Sequence, residues 1–323
     1  MNEKEIIELF AARLGLQRKR MGLDDIAIVN AGSEILAFKC DMLVESTDVP
    51  KGMEPWQVAR KSIVSCASDL ASKGIAPYVA LVSLGIPKGY PSSHIEGLAD
   101  GFKAASGEFG VRIVGGDTNE CSELVIDCSM IGRAGMRDRK IPSRQGARPG
   151  DIVVVSGAFG YASSGLKILI NGAKAGEQFR KKAVESVLMP APRQKFGIAM
   201  AKYFSSSMDS SDGLSTCLYE LARASKVEIL IDSEKVPVPA GLEEFARENG
   251  LDTGTLVFHG GEEFEIVATI PETRMEEARR YAKKMNLDLY AIGRVVKRGR
   301  GTVVVKTGST RRQLEDRGYI HLG

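Results

Sequence analysis

Aspartates recur along this chain in one setting: at the end of an apolar run, beside glycine, serine or another acid. The segments are GLDDIAIV with Asp24 and Asp25, FKCDMLVE with Asp41, SCASDLASKG with Asp69, VRIVGGDTN with Asp117, and MDSSDGLS with Asp209 and Asp212. A carboxylate taken out of water is costly unless it is paired or bound to a cation. Small flanking residues leave room for a ligand to approach the backbone. Hard cations such as Mg²⁺ favour oxygen donors of this kind, usually shared with substrate phosphates. The acids therefore point to a magnesium-dependent enzyme that handles phosphate groups.

Each segment carries a second, structural reading. Asp24 and Asp25 are adjacent, so an extended backbone sends them to opposite sides and lets at most one join a given cluster. Asp69 follows Cys66, Ser65 and Ser62 at three, four and seven positions on a helical pattern, with Lys73 one turn on. That is a small polar stripe, or else an exposed Asp–Lys pair. Gly115-Gly116-Asp117-Thr118 ends a short apolar run and sets an acid at a strand's carboxyl end, where α/β sites gather. A tight turn uses the same glycines. Asp209 and Asp212 flank Ser210 and Ser211 ahead of a helix, as helix caps or as a metal–phosphate site. SGAFGYASSG, with Gly157, Gly160 and Gly165, is either a phosphate cradle or a plain strand-to-helix turn. His259-Gly260-Gly261-Glu262-Glu263-Phe264-Glu265 holds more acids than so short a segment can pair, which suits a cationic ligand. Arg144 and Arg148 are either solubilising charge or a phosphate contact.

Several classes are excluded. There is no Gly-x-x-x-x-Gly-Lys-Ser/Thr and no protein-kinase catalytic loop. Three histidines and five scattered cysteines without a Cys-x-x-Cys pair disfavour zinc. The formal charge of +3 is small and the two signs alternate, so nothing asks for nucleic acid. No apolar stretch approaches the roughly 20 residues of a membrane span. MNEKEIIELFAARLG reads as an amphipathic helix instead of a secretory signal, and the unpaired cysteines fit a cytoplasmic protein.

The elements that must position the acids alternate along 323 residues, enough for two domains. A helix over 4–14 precedes strands at 26–29 and 35–44. Pro55 to Lys73 predicts a helix, with Pro just inside its start, an apolar stripe at Ile63, Ala67, Leu70 and Ala71, and Gly74 as its stop. A strand over 77–84, a helix over 94–109, a short buried strand over 111–114 and a strand over 124–131 follow. Residues 133–151 are basic, rich in Gly and Pro and aperiodic: a linker or exposed loop. The boundary falls near 146, giving domains 1–145 and 146–323. The second half adds strands at 152–155, 227–231, 265–270 and 302–306, and helices at 163–170, 215–224 and 272–285. The class is α/β or α+β with two domains.

Taken in order, these segments, together with ALVSLGIP and SRQGARPGD, resemble the thiamine-monophosphate kinases of the aminoimidazole ribonucleotide synthetase-like ATP-binding superfamily. The resemblance runs from about residue 22 to the C-terminus. It implies an N-terminal ATP- and magnesium-binding α/β domain that contributes strands to a barrel at a homodimer interface, and a C-terminal α/β domain completing the site. It implies direct in-line transfer from ATP to thiamine monophosphate, with several Mg²⁺ ions and no covalent nucleophile. Position by position, Asp25, Asp41, Asp69, Asp117, Asp209 and Asp212 match metal ligands. Gly116, Asp117, Arg144 and Ser211 match ATP contacts. Glu262 and Tyr319 match substrate contacts, and Asp48 stands where many members place a substrate-contacting His. Lys39-Cys40-Asp41 stands where many read Ser-Thr-Asp, so two oxygen ligands are missing, and Lys39 is a candidate to replace the positive charge lost with that His. Purine-pathway synthetases of the same superfamily, or a non-catalytic nucleotide or thiamine-phosphate sensor, are the alternatives.

Overall fold

The computed structural model describes residues 1, 3–15, 24–135 and 141–318. The first part runs α1 (Glu3–Arg13), β1 (Ala27–Ala31), β2 (Glu34–Val44), the single turn α2 (Glu45–Asp48), α3 (Pro55–Ser72), β3 (Ala76–Pro87), α4 (Ser92–Phe109), β4 (Arg112–Cys121) and β5 (Val125–Gly135). Its five strands form one sheet in the order β1-β2-β5-β3-β4, with only β3 and β4 parallel.

α3 forms where the sequence predicts it. Pro55 occupies the first turn, Glu54 and Gln57 form a capping box, and Gly74 turns the chain away at φ +69°. The apolar stripe at Ile63, Ala67 and Leu70 is fully buried against Ile126, Cys128 and Met130 of β5. Alternate residues of the sheet point the other way. Phe38, Met42 and Leu81 are exposed on that open face, with Val114 beside them.

β4 departs from expectation. It is ten residues long, nearly all exposed, and Gly115 to Thr118 lie within it instead of in a turn after it. Polar residues extend the strand because pairing with β3 needs only backbone donors and acceptors. Gly116 stands opposite Val82, so close that a Cβ would lie 1.7 Å from the Val82 carbonyl oxygen.

The second part runs β6 (Ile152–Val155), α5 (Tyr161–Asn171), α6 (Glu177–Leu188), α7 (Gln194–Met200), β7 (Ser206–Asp209), α8 (Leu214–Ser225), β8 (Val227–Asp232), α9 (Leu242–Glu248), α10 (Thr253–Phe258), β9 (Ile266–Ile270), α11 (Glu272–Lys284), β10 (Tyr290–Arg298), β11 (Thr302–Thr307) and β12 (Thr310–Gln313). Its seven-stranded sheet has the order β12-β11-β8-β10-β6-β9-β7. Helices α6, α7, α9 and α10 and strands β7, β10 and β12 went unread in the sequence. β7 hid because its Ser-Ser-Met-Asp has no alternation: all four residues are buried.

α3 joins the two parts. Its Ala71 belongs to the apolar cluster of Phe196, Met200, Ile266 and Ile270. Gly197 permits that approach, since a Cβ there would lie 1.8 Å from the Ala71 carbonyl oxygen. The basic segment before β6 is not an exposed loop where it is described. Ala147 is buried, and the Ser225 hydroxyl accepts from the amides of Gly146 and Ala147, each at 3.1 Å.

Gly116→Ala should strain the β3–β4 pairing by about 1–3 kcal/mol, the usual range for overpacking. The melting temperature should fall by roughly 3–10 °C, and an unchanged thermal transition would show that β4 is not held against Val82 as described.

Candidate active site

Three buried carboxylates from distant parts of the chain meet where α3 touches the second sheet. Asp25 precedes β1, Asp69 lies in the last two turns of α3, and Asp209 ends β7. One ligand oxygen from each lies within 4.8 Å of the others. Asp41 borders the group from β2, on the side of the sheet that faces α3, and feels the charge of Asp209. This is a hard, oxygen-only donor set of the type that holds Mg²⁺.

Basic side chains stand around it. Lys73 has no exposed surface, donates to the Ser207 carbonyl at 2.6 Å, and lies 2.7 Å from Asp24 and 2.6 Å from Asp25. The Asp25 contact is made by Oδ2, so that buried oxygen is paired with the ammonium. Arg144 grips the other oxygen of Asp25 at 2.7 Å through Nε and 2.6 Å through its terminal nitrogen, and reaches Glu220 at 3.4 Å. Lys39 lies 2.6 Å from Asp69 and 3.8 Å from Asp41.

Electrostatics divide the acids. Burial opposes ionisation of Asp25, but Lys73 and Arg144 overcome it and hold its pKa at about 2. Asp69 is pushed well up by burial and then by the charge of Asp209, against the pull of Lys39. Asp209 is pushed up by burial and by Asp25, while Ser68 donates to it at 2.8 Å. Asp69 and Asp209 lie together, so each holds a proton more readily than a free carboxylate, and a bound cation would favour the charged form.

The expected Asp69–Lys73 pair does not form. Lys73 turns to Asp24 and Asp25, and Lys39 takes Asp69. Only Asp25 of the adjacent pair joins the triad, although both meet Lys73. Asp117 is not brought to the triad: β4 is exposed, and the register sets Asp117 opposite Ser83, in the row of Asp127 and Met42. Gly116 shares the row of Asp41, at the sheet's edge. Ser211 is exposed and Asp212 half-buried just before α8. Asp48 uses its carboxylate locally, accepting from the Val44 amide and the Thr47 hydroxyl. Tyr319 lies outside the described residues.

Each acid of His259 to Glu265 finds a partner from elsewhere in the chain, contrary to the count within the segment. Glu262 pairs with Lys61, Glu265 with Arg193, and Glu263 accepts from the amides of Gly160 and Ala162. The helix start of the glycine-rich turn is thus filled by the protein's own carboxylate, and is not a free phosphate cradle. Oε2 of Glu262 remains buried without a partner, and Glu262 itself sits at φ +64°. Lys61, Lys73 and Ser68 are site residues that the sequence reading missed. A signal existed: Lys61, Ser65, Asp69 and Lys73 follow one another at intervals of four on an otherwise apolar helix.

Residues 23–134 match the family described as AIR synthase related protein, N-terminal domain, and residues 148–306 match AIR synthase related protein, C-terminal domain. The thiamine-monophosphate kinase of Nitrosopumilus maritimus is 39% identical over 321 residues, covering 99% of this chain and 98% of the relative. That of Pyrococcus horikoshii is 35% identical over 322 residues, covering 100% and 96%. A solved structure described as AaThiL complexed with AMPPCP and TMP superposes with a TM-score of 0.86 at 30% identity, covering 99% of this chain and 97% of that one.

Burial lifts the Glu263 carboxyl from 4.5 to about 8, despite its amide donors. A carboxyl raised in the folded state keeps a proton that the unfolded chain has lost. Its stabilising contribution is complete below pH 4.5 and lost as pH climbs through about 8. Glu263→Gln should therefore flatten the decline of melting temperature with pH across that window, measured without divalent metals. Parallel curves for the two proteins would mean that Glu263 is ionised throughout.

Proposed function

The chain belongs to the thiamine-monophosphate kinases of the AIR synthase related family, and on that premise we propose how its acidic cluster transfers the γ-phosphoryl group of ATP to thiamine monophosphate, giving thiamine diphosphate and ADP. The observation that carries the reading is the buried triad of Asp25, Asp69 and Asp209, assembled from both parts of the fold.

In this reading Asp25, Asp41, Asp69 and Asp209 would hold Mg²⁺ ions, with Asp212 as a further ligand, while Asp117, in the row of Met42, would serve an ion apart from the triad. Bound Mg²⁺ would neutralise the phosphates of donor and acceptor, which otherwise repel each other, and align them for in-line attack. The donor set fits: it offers buried carboxylate oxygens only, one from each of three acids within 4.8 Å of one another. Arg144, now bonded to Asp25, would supply the positive charge for a nucleotide phosphate, and Gly116, Asp117 and Ser211 would line the nucleotide.

Glu262 offers its unpartnered Oε2 to the cationic acceptor, while Lys61 fixes the other oxygen. Asp48 lies beside this end, its backbone carbonyl bonded to Lys61 at 2.8 Å, and Tyr319 completes it.

Transfer is direct. The thiols near the triad are held protonated: Cys217 is pushed well up by burial, and Cys66 by its contact with Cys128 and by burial. His259 is engaged by Ser215 and the Arg317 carbonyl. Neither protonated thiol is an activated nucleophile, which supports a direct transfer.

The reading includes a cytoplasmic homodimer, in domains 1–145 and 146–323. Support for the dimer is the open sheet face, where Phe38, Met42, Leu81 and Val114 lie 38–61% exposed in the single chain. A face of this kind is suited to a second copy. No described helix is long and apolar enough to cross a membrane.

The direct test couples ADP release to mass detection of thiamine diphosphate. ATP, Mg²⁺ and thiamine monophosphate should give equal amounts of both products, and EDTA should abolish them. Asp69→Asn should lower turnover by about two orders of magnitude or more, the scale of losing one transition-state charge contact, with the fold retained by circular dichroism. Wild-type turnover in that variant would remove Asp69 from the chemistry. Glu262→Gln should raise KM for thiamine monophosphate about tenfold, the loss of one charge-assisted hydrogen bond, and leave KM for ATP unchanged. An unaltered acceptor KM would place Glu262 outside the acceptor site.

A further inference from the structure

Lys39 brings a positive charge to the place where a metal ion would otherwise sit. Its strand neighbour two positions on is Asp41, so both side chains project from β2 toward α3, where Asp69 waits. The ammonium lies 2.6 Å from Asp69 and 3.8 Å from Asp41, between two carboxylates that would otherwise face each other unshielded.

A count of charges shows what this does. Asp24, Asp25, Asp41, Asp69 and Asp209 supply five carboxylates, and Lys39, Lys73 and Arg144 supply three cations at 2.6–3.8 Å. Arg144 is shared with Glu220, which also has Arg223 at 3.6 Å. With all five acids ionised, as a bound cation would require, two negative charges remain unmatched, the charge of one divalent ion. Without Lys39 the deficit would be three, and the space between Asp41 and Asp69 would lie open to a second ion.

We propose that the Lys39 ammonium is a resident cation of the acidic cluster, standing in for one divalent ion, so that the free protein takes up a single tightly held metal there. The inference rests on the kinase reading for the cluster's role but not for its metal count. Tethered through β2, the ammonium stays in place at any metal concentration and in the presence of any chelator. It balances charge and cannot bridge phosphate oxygens, since an ammonium donates hydrogen bonds and accepts no ligand.

The test is a Mn²⁺ titration of the full chain, followed by electron paramagnetic resonance, with no nucleotide or acceptor added. Wild-type protein should bind one Mn²⁺ tightly per chain at the cluster and give an uncoupled six-line spectrum. Lys39→Met should bind one more and show dipolar coupling between neighbouring ions. Lys39→Arg, which keeps the charge, should retain the wild-type count. A coupled pair in the wild-type protein, or equal counts in wild type and Lys39→Met, would overturn the proposal. The wild-type spectrum decides even where Lys39→Met fails to fold. Absence of thiamine diphosphate formation by a protein that binds one Mn²⁺ would instead sink the kinase reading and leave the metal count standing.

Discussion

A fully buried ammonium governs this molecule. Lys73 sits at the end of α3 with no exposed surface, bonded to the Ser207 carbonyl of β7 and flanked by Asp24 and Asp25. A charge in such a place is tolerated only when carboxylates and a carbonyl satisfy it, and removing one partner of a buried pair typically costs 3–5 kcal/mol. Lys73 thus requires the segment before β1, the end of α3 and the start of the second sheet to be in register at once. The same requirement sets Asp25 beside Asp69 and Asp209. The apolar contact of Ala71 with Phe196 and Ile266 supplies the hydrophobic part of the junction, and Lys73 supplies its specificity.

From that junction follows a graded acid cluster. Asp25, held between Lys73 and Arg144, is ionised at any physiological pH. Asp69, with Lys39 alone as its cation, and Asp209, with none in contact, crowd each other and are pushed up by burial. In the proposed site that gives one firm anionic ligand and two that protonate more readily than a free carboxylate. Protons and metal compete for the same oxygens, so affinity for the ion is coupled to pH.

Much of this was legible in the residues. Pro55, the stripe from Ile63 to Ala71 and Gly74 define α3 almost to the residue, and the acids at strand mouths name the chemistry. What stayed hidden has one physical origin: partners that are distant in sequence. Spacing offered Asp69 only Lys73, whereas its ion pair comes from Lys39 on a different element. Glu262, Glu263 and Glu265 looked too crowded to be paired, because their partners lie 201, 103 and 72 residues away. β4 was read as short and buried because side-chain pattern reports burial, while an edge strand is held by its backbone. Lys61 was missed although its spacing on α3 placed it with Asp69, since a lysine on a helix is usually solvated.

The triad draws two of its carboxylates from the first 69 residues and the third from position 209. A ribosome builds the chain in that order. On the site proposed above, until β7 has emerged and docked on α3 the growing polypeptide would have no complete set of ligands and no means of consuming nucleotide. Any proteolytic product that ends before Asp209 would share that inertness, however well its own sheet is folded. Synthesis thereby keeps the enzyme silent until both parts of the fold have found each other.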